Sequence, residues 1–316
     1  MAHDDSTPIE WQAPPLATDA HFHVFGSIDQ YPAGTPDLRY PMPLAPLEDY
    51  LALAEKLGIQ RHVFVQPSGY GRDNSCLLDA LQAVGLGAAR GIVDIDETIP
   101  DAELDRLNAL GVRGVRINVS PIHPPDPWLA ASMLPRIERM AARCAEIGWS
   151  LDFLTPGWLT RELFQTTLKT LPVDFSIAHM GMFLAKDGVE QPGFQELLEF
   201  LRDGQHESQG EGGGRCWVKL TGVYRMSTTE GFADSAPFAR ALAEVAPDRR
   251  GVISGLLNLS RNLGLITGAS AMGAVFAFAS AATDVAAGTR ITFGVAVALI
   301  IAALALAVTI GRRAGG

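Results

Sequence analysis

The sequence predicts an α/β fold: a (β/α)8 TIM-type barrel that lacks its eighth strand, followed by a two-helix transmembrane hairpin. Three observations carry this expectation. Short apolar runs alternate with amphipathic helical stretches over residues 16–250, the pattern of a parallel sheet with helices outside it. The alternation runs through seven units without a switch, which fits a barrel better than an open doubly wound sheet. Charges then almost vanish: residues 251–316 carry only Arg261, Asp284, Arg290, Arg312 and Arg313. The domain expectation is an N-terminal arm over 1–15, a barrel over 16–250 and a membrane hairpin over 251–316.

Taken in order, residues 1–15 form a polar, proline-bearing arm. Leu16 to Ala20 reads as the first strand, and Tyr31 to Pro46 as a long, proline-rich loop with Tyr40 near its tip. Leu47 to Leu57 has helical spacing and stops at Gly58. The run His62 to Gln66 is a strand, Asn74 to Val84 a helix, and Gly91 to Ile95 a strand. Asp101 to Leu110 is a helix closed by Gly111, then Gly114 to Asn118 a strand. Trp128 to Ile147 is a helix closed by Gly148, before the strand Trp149 to Phe153. Thr160 to Leu171, Gln191 to Leu201 and Phe232 to Val245 read as helices, with strands at Val173 to Ala178 and Cys216 to Leu220 between them.

The net charge of −10 and the absence of a basic stripe exclude a nucleic-acid partner. Cys76, Cys144 and Cys216 are widely spaced, without a C-x-x-C, and read as the reduced thiols of a cytosolic protein. The acidic start Met-Ala-His-Asp-Asp has no apolar core and is not a signal peptide.

The chain is organised around Thr18-Asp-Ala-His-Phe-His23. Strand side chains alternate, so His21 and His23 share a face, with Asp19 expected there too. Two such histidines at a strand end could hold a divalent metal or polarise a substrate oxygen; plain packing is the bland alternative. In barrels of this kind the chemistry sits at the C-terminal strand ends. The residues there are His21 and His23, Gln66 with Ser68, Asp94 with Asp96, Arg116 with Asn118, His179, and Lys219 with Arg225.

The stretches Asp19-Ala-His-Phe-His-Val-Phe-Gly26, Val63-Phe-Val-Gln-Pro-Ser-Gly-Tyr-Gly-Arg-Asp-Asn74, Gly111-Val-Arg-Gly-Val-Arg-Ile-Asn118, His179-Met-Gly181 and Val218-Lys-Leu-Thr-Gly-Val-Tyr-Arg225 resemble the amidohydrolase superfamily. Within it they resemble the branch of 2-pyrone-4,6-dicarboxylate lactonase, sulfomuconolactone hydrolase and galactarolactone isomerase. The resemblance implies opening of a lactone on a small carboxylated substrate. His21, His23 and His179 would polarise the lactone carbonyl, directly or through a bound Zn²⁺. Arg116 and Arg225 would grip substrate carboxylates, and Ser68 and Tyr40 would add hydrogen bonds. A metal-dependent decarboxylase of the same superfamily is the alternative. One departure stands out: the family's eighth strand ends in a Gly-Thr-Asp-Trp-Pro pattern whose aspartate activates water, and no Thr-Asp-Trp occurs in this chain. Weak or absent activity is therefore expected.

Leu263 to Ala282 and Ile291 to Gly311 carry no charge, and each is long enough to cross a hydrocarbon core of about 30 Å. Gly251-x-x-x-Gly255 and Gly264-x-x-x-Gly268 suit close helix contact in lipid. Arg312 and Arg313 favour a cytoplasmic C-terminus, which places the barrel on the cytoplasmic side of a membrane; without the tail it would be soluble in the cytoplasm. The stretch Gly255 to Ser270 resembles the last helices of a major facilitator superfamily drug–proton antiporter. The whole reads as a fusion near Arg250-Gly251, and a non-enzymatic membrane protein is its further alternative.

Overall fold

The computed structural model describes residues 12–34, 38, 40–119, 126–207 and 216–245. Seven strands form one parallel sheet in the order in which they occur in the chain, β1 (Thr18–Phe22), β2 (Arg61–Val65), β3 (Ala89–Val93), β4 (Val112–Asn118), β5 (Ser150–Leu154), β6 (Phe175–Ile177) and β7 (Cys216–Val218). Among the described residues each strand pairs only with its sequence neighbours. This is the half-barrel, TIM-like arrangement that the alternation predicts. Among the described residues β1 and β7 keep one free edge each, and no eighth strand lies between them.

The helices are α1 (Leu47–Leu57), α2 (Ser75–Val84), α3 (Asp101–Ala109), α4 (Pro127–Ile147), α5 (Gly157–Thr166), α6 (Pro192–Glu207), α7 (Val223–Met226) and α8 (Ala236–Val245). The predicted stop after α1 is present in detail. Gly58 sits at φ 71°, a left-handed position costly to other residues, and its N–H meets the carbonyls of Ala54 and Glu55. The core lies between sheet and helices. Phe64, Val93, Val115, Leu151 and Phe175 from the strands are buried with Leu77, Ile137, Leu163, Phe194 and Phe238 from the helices. Each such side chain contributes about 1.5–3 kcal/mol by leaving water.

Several boundaries differ from the expectation. The first strand runs on to Phe22, so His21 lies within it rather than beyond it. The helix expected over 160–171 begins at Gly157 and breaks after Thr166 into a short 3-10 turn, Leu168–Thr170. The expected helix start at Phe232 is a kinked 3-10 segment with Gly231 and Phe232 at positive φ, and α8 proper begins at Ala236. The apolar runs 263–282 and 291–311, and with them the expected hairpin, lie outside the described residues. Among the described residues no helix is long and apolar enough to cross a membrane.

Candidate active site

The register of the sheet builds the site. Arg116 on β4 lies directly beside Asp152 on β5, and Asp152 beside Ser176 on β6. Ser176 Oγ donates to Asp152 Oδ2 at 2.7 Å. Lys219, just past β7, ion-pairs with the same oxygen. Arg116 Nε stands 3.7 Å from Asp152 Oδ1, and Arg116 Nη1 donates to the Gln66 carbonyl. Arg116 and Asp152 are fully buried. Burial alone would raise the Asp152 carboxyl, but Lys219, Arg116 and Ser176 overcome it and hold the group below its ordinary value.

The three predicted histidines come together over this cluster. The His21 ring centroid lies 5.1 Å from that of His23 and 5.1 Å from that of His179. Burial, then the charges of Lys219 and Arg116, push His21 well below the usual imidazole range. His23 is pushed down to about 3 by burial and then Arg116, and His179 to about 3 by burial, Arg116 and Arg225. All three are neutral near pH 7.

His179 follows β6 at positive φ and is held by Thr221, whose Oγ1 lies 2.8 Å from Nδ1. Gly222 makes room for it: a Cβ there would come within 2.3 Å of the His179 ring. Asp19 does not share the histidine face. The β1–β2 register shifts between Asp19 and Phe22, which breaks the strict alternation. The Asp19 carboxylate meets Tyr50 of α1 at 3.4 Å instead, in a pocket where Tyr50 also contacts His62 at 3.0 Å.

The proposed substrate residues are also placed. Tyr40 Oη accepts from the Gly69 N–H at 3.1 Å and lies 3.3 Å from Ser68 Oγ, so these two predicted groups meet. Arg225 is half-buried, and its charge reaches both Arg116 and His179. No carboxylate pairs with it among the described residues. Asp94 and Asp96 belong elsewhere, since Arg72 and Arg136 neutralise them. Gln66 is structural: its Nε2 ties down the carbonyls of Gly71 and Asp73.

The donor set does not fit a metal on the three histidines. His21 Nδ1 lies 3.2 Å from the Lys219 ammonium, which can only donate, so Nδ1 accepts and Nε2 carries the proton. A metal on Nε2 needs the reverse tautomer. His23 has that reverse form, because its Nδ1 meets the Val65 carbonyl at 2.7 Å. Among the described residues no group of three or more His, Cys, Asp or Glu is arranged to hold a metal ion.

Asp152 belongs to none of the sequence motifs that mark the site. Its signal was a lone carboxylate inside the apolar strand Ser150–Leu154, a placement tolerated only with a charged partner.

The family model for amidohydrolases matches residues 18–250. The chain belongs to the amidohydrolase family. It is 34% identical over 247 residues to the 4-sulfomuconolactone hydrolase of Hydrogenophaga intermedia, covering 77% of this chain and 75% of that one. It is 31% identical to the 2-pyrone-4,6-dicarboxylate hydrolase of Comamonas testosteroni, over 79% of this chain and 83% of the relative. Among solved structures it is similar to that of a putative 2-pyrone-4,6-dicarboxylic acid hydrolase from Pseudomonas putida. The TM-score there is 0.55 at 33% identity, covering 72% of this chain and 78% of the other.

Proposed function

We propose that the strand ends bind a small carboxylated lactone and open it by hydrolysis at a low rate. The observation that carries this reading is the charge balance around three neutral imidazoles. Two cations, Arg116 and Lys219, pair with the carboxylate Asp152, and a third, Arg225, acts on Arg116 and His179 and has no carboxylate partner among the described residues. Such a site draws an anionic ligand, and a guanidinium fork suits a carboxylate. Arg225 takes the substrate carboxylate, with Tyr40 and Ser68 hydrogen-bonding beside it. His21 presents an N–H to the lactone carbonyl oxygen, and His23 presents a lone pair that orients water.

The low rate follows from the base. Both Asp152 oxygens face cations, so this carboxylate takes no proton from water. An imidazole held near 3 is a weak base at neutral pH. The eighth-strand aspartate of the family pattern is missing from the sequence. The relatives' names supply the test substrates: purified full-length protein is titrated with 2-pyrone-4,6-dicarboxylate and 4-sulfomuconolactone. Saturable binding that weakens in Arg225→Met supports the reading, and absence of binding to either compound rejects it.

We further propose that residues 251–316 form the two-helix hairpin and attach the barrel to the cytoplasmic face of a membrane. This rests on the two uncharged runs and the terminal Arg312-Arg313, and on the end of the family match at residue 250. The likeness of this tail to an antiporter's last helices rests on sequence alone and implies no transport. Sedimentation of the full chain with membranes after alkaline carbonate washing is the expected result; release into the supernatant rejects it.

A further inference from the structure

His21 carries a buried polar atom that has no partner among the described residues. Its Nε2 is shut off from solvent and has no hydrogen bond among the described residues, whereas its Nδ1 lies 3.2 Å from Lys219 Nζ. An ammonium has three donors and no lone pair. The neutral ring must therefore accept at Nδ1 and keep its proton on Nε2. A buried donor with no acceptor is costly, so this N–H is poised for an acceptor outside the described residues, which a bound ligand supplies.

Lys219 is fixed from both ends. Its backbone N–H donates to the Ile177 carbonyl at 2.9 Å, and its own carbonyl accepts from Met180 N–H at 3.0 Å. Its ammonium is held by Asp152, which Ser176 braces in turn. His21 belongs to one edge strand and Lys219 follows the other, so the contact ties the two ends of the sheet together.

We propose that Lys219, anchored by Asp152, is a positioning residue. It sets the His21 tautomer and aims the Nε2–H into the site as hydrogen-bond donor to the carbonyl oxygen of the lactone. The identity of the acceptor rests on the lactone reading above; the tautomer does not. The neighbouring His23 has the opposite form, so adjacent rings present one donor and one acceptor to the same ligand.

The test is nitrogen-15 NMR of histidine-labelled full-length protein at pH 7.5, with His21 identified by the signal lost in His21→Gln. The expected wild-type pattern is Nε2–H for His21 and Nδ1–H for His23. In Lys219→Met, His21 gains the Nδ1–H form and affinity for 2-pyrone-4,6-dicarboxylate falls about tenfold, the range of one hydrogen bond. Affinity for glutarate, which has carboxylates but no ring carbonyl, falls less, because it loses only the attraction of the charge. Lys219→Arg, which keeps a cationic donor, restores the Nε2–H form. Asp152→Asn serves as a second variant where Lys219→Met does not fold, and it is expected to loosen the tautomer in the same direction.

A wild-type His21 protonated at Nδ1 overturns the proposal, as does an unchanged tautomer in folded Lys219→Met or Asp152→Asn. If the tautomer responds as expected while the wild type binds no lactone, the positioning role stands and the carbonyl role falls with the lactone reading.

Discussion

Two clusters of charge lie at strand ends of the same half-barrel, and they are built differently. At β3, Asp94, Asp96 and Glu97 meet Arg72, Arg136 and Arg139, with Arg72 and Arg139 more than half exposed. Every carboxylate there has an arginine, and the network fastens α4 to the end of β3. At β4 to β7, Arg116, Asp152 and Lys219 are almost wholly buried, cations outnumber carboxylates, and among the described residues polar atoms of His21, Arg116, Asn118 and Asp152 lack a hydrogen-bond partner, against Arg136 Nε alone in the first cluster. A balanced, solvated network is a fastening. A buried, unbalanced one is built to be completed by a ligand.

The sharpest way to break this contrast is to remove one cation from each cluster. Lys219→Met leaves Asp152 buried with its main partner gone, and stability is expected to fall by about 3–5 kcal/mol in urea unfolding. Arg72→Met is expected to cost no more than about 1 kcal/mol. Equal losses would erase the distinction. Next in size is Arg225→Met. It should lower affinity for a carboxylated lactone by about 1.5–3 kcal/mol, the worth of a hydrogen bond to a charged group, while the urea midpoint stays put. A loss of stability without a loss of binding would make Arg225 a structural residue.

Gly222 sharpens the comparison further. Gly222→Ala forces a left-handed residue to carry a Cβ that overlaps His179, whereas Gly85→Ala, also at positive φ, meets open space. The first is expected to cost about 1–3 kcal/mol and to change binding; the second should leave binding unchanged. A further effect is spread over pH as a slope. His23 and His179 are held near 3 when folded, against 6.5 unfolded. Between those values the unfolded chain binds protons that the native state refuses, so stability is lost as pH falls from about 6.5 toward 3. Each excluded proton adds about 1.4 kcal/mol per pH unit. Urea midpoints from pH 7.5 to 5 measure it, and His23→Gln should flatten the slope.

The order of the strands was legible because parallel strands buried on both faces read as apolar runs and amphipathic helices read by period. The three histidines were legible because each sits at the end of such a run. Asp152 was not, because its meaning depends on register. Only pairing β4 with β5 and β5 with β6 puts Arg116, Asp152 and Ser176 side by side. The Lys219–His21 contact joins residues 198 positions apart, beyond the reach of local pattern. Asp19 was misplaced because alternation assumes a regular strand, and the β1–β2 register shifts there.

The most direct measurement is a single titration of purified full-length protein with 2-pyrone-4,6-dicarboxylate, following heat of binding and ring opening together. The expected result is saturable binding with turnover far below the roughly 10 s⁻¹ median of enzymes, because among the described residues no free carboxylate is in place to activate water. Absence of binding would contradict the anion site, and turnover at that median rate would contradict the missing base.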